Sequence, residues 1–148
     1  MNTTIIQRVL TITAFLLCSL RAFAAPPIDP SNLEDKVTIT VGQKLAIQFQ
    51  SDGDALKKPK MIEQPDAKSP SVALDFGKHD SILILSIKNS FSRALRCRCL
   101  MRLKGQKEYS ETSILPIMAG LADYESWGDP IEEIVLFDFK LTDEKPPQ

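Results

Sequence analysis

The stretch Ala94-Leu95-Arg96-Cys97-Arg98-Cys99-Leu100-Met101-Arg102-Leu103-Lys104 decides the fold. Leu95, Cys97, Cys99, Met101 and Leu103 fall on one side of an extended chain. Ala94, Arg96, Arg98, Leu100, Arg102 and Lys104 fall on the other. A period of two marks a strand with one buried and one wet face.

The same alternation recurs on both sides. Upstream, Val37, Ile39 and Val41 form one set, Leu45, Ile47 and Phe49 a second, and Val72, Leu74 and Phe76 a third. Residues 81–87 are nearly all apolar and predict a central strand covered on both faces. Pro59, Pro65 and Pro70 allow at most a short edge strand around residues 60–64. Gly77-Lys78-His79-Asp80 predicts a turn, and Gly105-Gln106 a tight hairpin. The return strand starts near Lys107 and continues through residues 114–118, where Pro116 limits its pairing. Residues 119–130 read as a loop, with room for one short helical turn. The last strand spans residues 131–141 and points Val135, Phe137, Phe139 and Leu141 inward. Seven to eight short strands with frequent turns predict an all-β, antiparallel, two-sheet sandwich of immunoglobulin-like type, with a closed barrel as the alternative.

Ahead of this domain, residues 1–24 carry Arg8, an apolar run from Val9 to Leu20, and Ala22-Phe23-Ala24. These are the parts of a secretory signal peptide cut before Ala25. The run is shorter than the roughly 18–20 residues a membrane-spanning helix needs. Cleavage removes Arg8, Arg21 and Cys18, so net charge moves from −1 to −3 and two cysteines remain. Residues 25–35 form a proline-rich extended leader, 36–142 the domain, and 143–148 a tail. The expected compartment is the bacterial periplasm or the secreted space, with no span after cleavage.

Three features are candidates for chemistry. The first is Cys97-Arg98-Cys99-Leu100-Met101, whose three sulfur side chains share one face. They are buried core residues, or thiols that oxidise, or soft ligands for Cu(I). On a regular strand the two cysteines stand about 6.5–7 Å apart, too far to bridge without a bulge or bend. The second is charge segregation. Residues 88–107 hold seven basic and no acidic residues, and residues 108–133 hold seven acidic and no basic ones. Either the two runs neutralise each other across strands, or Arg96, Arg98 and Arg102 form a stripe for an anionic partner. Such a partner is an acidic envelope or secreted protein, or a lipid headgroup. Nucleic acid is not expected, because no aromatic side chain on that strand could stack on bases. The third is Tyr124 and Trp127 among carboxylates in the expected loop, fit to grip a ligand or to plug the sandwich.

No catalytic set is legible. His79-Asp80-Ser81 holds the letters of a triad but lies consecutively in a turn. Glu132 and Glu133 are adjacent on a predicted strand and should point to opposite faces. A non-enzymatic exported binding or assembly module is therefore the expectation, and a Cu(I) or thiol-redox role at the cysteine strand the alternative.

Overall fold

The computed structural model describes residues 28–65 and 68–145. The expected signal peptide, residues 1–24, lies outside the described residues, as do 25–27 of the expected leader and 146–148 of the expected tail. Nine strands follow in order: β1 (Val37–Thr40), β2 (Gln43–Asp52), β3 (Ala55–Ile62), β4 (Val72–His79), β5 (Ile82–Asn89), β6 (Ala94–Leu103), β7 (Ser110–Thr112), β8 (Ala122–Trp127) and β9 (Ile131–Thr142). The protein is all-β and antiparallel. No described helix is long and apolar enough to cross a membrane.

Hydrogen bonding runs through one curled sheet in the order β7-β6-β9-β3-β2-β4-β5-β8, and β1 also pairs with β9. The expectation of two separate sheets gives way to this continuous path. The link between the halves is slender: Ala55 pairs with Lys140, and the Leu141 N–H donates to the Asp54 carbonyl at 2.8 Å. One core joins Ile39, Cys99, Ile134 and Leu136 from one half to Ile47, Leu74, Phe76 and Leu85 from the other.

Two bulges flank that link. Between Gln48 and Gln50 the register of β3 slips by one residue, with Lys58 at φ 49°. Between Arg96 and Arg98 the register of β9 slips likewise, with Asp138 at φ 53°. An extra residue bends its strand and sharpens its twist. Phe49 and Phe139, with ring centroids 4.8 Å apart, fill the inside of the bend.

The bulge at Asp138 also changes which side chains face in. Phe139 joins the main core, and Leu141 packs against it. Val135 and Phe137 instead join Leu100 in a small cluster on the outer side. The expected single inward row 135-137-139-141 is thus split, because one extra residue inverts the alternation. Ile28, Leu33 and Tyr109 cover this outer cluster. The leader is therefore packed onto the domain, with a 3-10 turn at Pro30–Asn32 whose Ser31 N–H donates to Asp29 Oδ1 at 2.8 Å.

Several expected boundaries move. Residues 122–127, expected as loop, form β8 on the edge beside β5. Residues 114–118, expected as strand, contribute only the Leu95–Ile117 bridge. β3 is longer than expected because the bulge accommodates Pro59. The turn after β4 is Asp80-Ser81, and β4 itself runs to His79. Gly105, at φ 80°, takes the second central position of a turn closed by Gln106 N–H to Leu103 O at 3.0 Å. β5 is not covered on both faces, since Ile82 is 40% exposed.

Candidate functional site

The arginines of β6 project outward as expected, but each is held by the protein's own carboxylates. Arg98 grips Glu111 of β7 with two bonds, Nε to Oε1 at 2.7 Å and Nη2 to Oε2 at 2.9 Å. Its guanidinium also lies 4.8 Å from the centre of the Phe137 ring. That pairing draws the Glu111 carboxyl below its ordinary range. Arg96 pairs with Glu144. Arg102 meets Glu132 at 2.5 Å and Glu133 at 3.6 Å, and its Nε donates to the Tyr109 hydroxyl at 3.3 Å. The Tyr109 hydroxyl in turn donates to Glu133. Burial and the neighbouring Glu133 raise the phenol pKa.

Glu132 and Glu133 therefore do not diverge as their adjacency predicts. The register slips between Arg102 and Leu103, leaving Glu132 as the extra residue on β9. Both carboxylates then reach one guanidinium. The acidic run thus neutralises part of the basic one, Arg98 across β6–β7 and Arg102 across β6–β9, while Arg93 pairs with Asp54 and Asp143 and Arg96 with Glu144, outside that run.

Cys97 and Cys99 face the core and are buried as free thiols, and Met101 packs beside them. The bulge that a bridge would need lies opposite them, in β9, and leaves β6 regular there. Burial first, and then the Glu125 carboxylate, push the Cys97 thiol up to about 12. Burial raises Cys99 further, followed by Cys97, Glu125 and Glu111. Thiolate, the metal-binding and nucleophilic form, is strongly disfavoured at both.

Tyr124 and Trp127 share β8 but not a face. Tyr124 is 68% exposed on the outer side. Trp127 turns inward against the core and meets the Phe76 ring edge-on at 6.5 Å. They form no common aromatic site, and the ring contacts of the arginines are with Phe137 and Tyr109 instead.

Four strand edges lack a partner along most of their length among the described residues. β1 and β7 are short. The β3 edge carries Lys57, Lys58, Pro59 and Lys60 and a bulge, all features that block pairing. β8 differs: it is regular, pairs with β5 from Ala122 to Trp127, and has no lysine, proline or bulge. Leu121 precedes it at 56% exposure, and Leu115, 70% exposed, donates its N–H to Glu125 of β8 at 3.4 Å. This edge escaped the sequence reading because the inward side of β8 is Asp123-Glu125-Trp127, which shows no apolar alternation. A second unpredicted residue is Asn89, fully buried at the crossing of three segments. A cleft of about 570 Å³ opens at one end of the sheet, bordered by Lys78, Ser81, Lys104 and Asp129. His79 is not among its lining residues.

Comparison with protein-family models, with curated proteins and with solved structures returns no match.

Proposed function

We propose that this protein is an exported, non-enzymatic binding module that takes up an extended segment of another envelope or secreted protein along β8. The two facing halves act as the layers of an immunoglobulin-like scaffold, and β8 is its working edge. The carrying observation is the contrast between edges: β3 carries lysines, a proline and a bulge, whereas β8 is regular and is guarded only by the inward-pointing Asp123 and Glu125. Strand addition draws affinity from main-chain hydrogen bonds and selectivity from alternate side chains. Tyr124, Leu115 and Leu121 offer apolar contact beside those bonds.

The arginine stripe has less support as a docking face, because Arg96, Arg98 and Arg102 already have carboxylate partners. A Cu(I) or redox role for Cys97, Cys99 and Met101 also has less support, because the thiols are buried and held protonated. Capture of partners from envelope extract tests the edge reading. The Leu121→Ser/Tyr124→Ser variant should lose the partner that wild type and Arg96→Ala retain. Undiminished capture by the double variant overturns it.

A further inference from the structure

We infer that the segment taken up by β8 is basic, with Lys or Arg at two alternate positions facing Asp123 and Glu125. This rests on the strand-addition reading above. β8 carries two carboxylates and no basic residue. Asp123 and Glu125 sit opposite Ile87 and Leu85 of β5, so they share the inner side of the edge. Their acceptor capacity is largely unspent. Asp123 Oδ2 is buried and accepts no hydrogen bond from any described residue. Glu125 accepts one long bond, from the Leu115 N–H at 3.4 Å. A carboxylate offers about four lone-pair sites, so donors are what this edge lacks.

A second copy of the chain fits poorly. Pairing two β8 strands antiparallel with Tyr124 opposite its copy sets Asp123 against Glu125 of the other molecule. Centring the pair on Asp123 sets Asp123 against its own copy, and centring it on Glu125 sets Glu125 against its own copy. Like charges directly opposite destabilise a strand pair, whereas opposite charges favour it. A partner strand with ammonium or guanidinium groups two residues apart meets both carboxylates at once. Its intervening side chains lie on the outer side, beside Tyr124.

The test uses short blocked peptides alternating Lys with Val, or Gln with Val, and the fluorescence of Trp127, the only tryptophan and itself in β8. The Lys peptide should bind about 2- to 30-fold more tightly than the Gln peptide, from two cross-strand charge pairs. The preference should vanish in Asp123→Asn/Glu125→Gln and shrink at high salt in the wild-type protein. Equal binding of the two peptides overturns the charge inference and leaves strand addition standing. A Lys peptide N-methylated at alternate residues keeps its charge but cannot pair as a strand. If it binds as well as its parent, strand addition itself fails. No binding by any peptide overturns both. A protein that dimerises alone, more tightly as Glu125→Gln, makes a second copy the occupant and overturns the inference.

Discussion

Asn89 is the most informative residue to perturb, because a single buried amide holds three segments together. Its Nδ2 donates to the carbonyls of Arg93 at 2.9 Å, Ile117 at 3.0 Å and Met118 at 3.3 Å. Its Oδ1 accepts from the Phe91 N–H at 2.9 Å. The Ile117 carbonyl also accepts from Leu95, and the Met118 carbonyl from Leu121, so each keeps a partner when the amide is removed. The Arg93 carbonyl and the Phe91 N–H depend on Asn89. Leaving a buried polar group unpaired costs about 1–3 kcal/mol. The buried Phe91 N–H at that cost, and the part-buried Arg93 carbonyl at about 1 kcal/mol, make Asn89→Ala destabilising by about 2–4 kcal/mol, a melting temperature lower by roughly 10 °C. Urea unfolding followed by Trp127 fluorescence and far-ultraviolet circular dichroism measures the loss. Asn89→Asp keeps the shape and the acceptor but turns a carboxylate toward three carbonyls. Its folded-state pKa should rise above the ordinary value near 4. Its penalty is then absent below that value and grows as pH rises toward the folded pKa. At neutral pH it should exceed the alanine penalty, and the gap should close on acidification. An alanine variant within about 0.5 kcal/mol of wild type, the range of an ordinary surface change, refutes the reasoning. So does an aspartate variant that is the more stable of the two at neutral pH.

Other expectations follow from the same structure. Cys97 should resist thiol reagents until unfolding, and stability should fall between about pH 9 and about 12, where the unfolded thiol ionises and the folded one does not. The slope is about 1.4 kcal/mol per pH unit for that thiol, and a flat stability over this window counts against its burial. Lys58→Gly should stabilise by roughly 0.5–1 kcal/mol in urea unfolding, since a side chain at positive φ costs about 1–2 kcal/mol, whereas Lys58→Val should destabilise. Trp127→Ala should cost roughly 2–4 kcal/mol through lost core packing, and Tyr124→Ala about 0.5 kcal/mol or less; comparable costs would mean the two aromatics share one environment. Arg98→Ala should cost less than about 1 kcal/mol as an exposed pair. A double-mutant cycle with Glu111→Ala measures the coupling.

Much of the fold was legible because alternation is a local property. Within residues 94–104 the sides of Cys97, Cys99, Arg96 and Arg98 read correctly: the thiols are buried and the two arginines exposed. Ala94 and Leu100 break the pattern, both buried on the arginine side, Leu100 beneath the leader and Tyr109. β8 was missed because Asp123 and Glu125 occupy the side a strand normally gives to apolar residues. β3 was shortened by Pro59, which a regular strand interior would not admit but a bulge does. The candidate site was legible only in part. Tyr124 and Trp127 were singled out, yet their placement on opposite faces depends on the unrecognised strand.

The chain by itself determined that this is a β protein, and that the sulfur side of residues 94–104 is hidden while the guanidinium side is wet. Both follow from side chains alternating along an extended backbone. Only the tertiary structure decided that Phe137 faces out while Phe139 faces in, that Glu132 and Glu133 meet one arginine, and that β8 is left open. Each of these depends on a bulge or an edge, and those exist only in the relation of one strand to its neighbour.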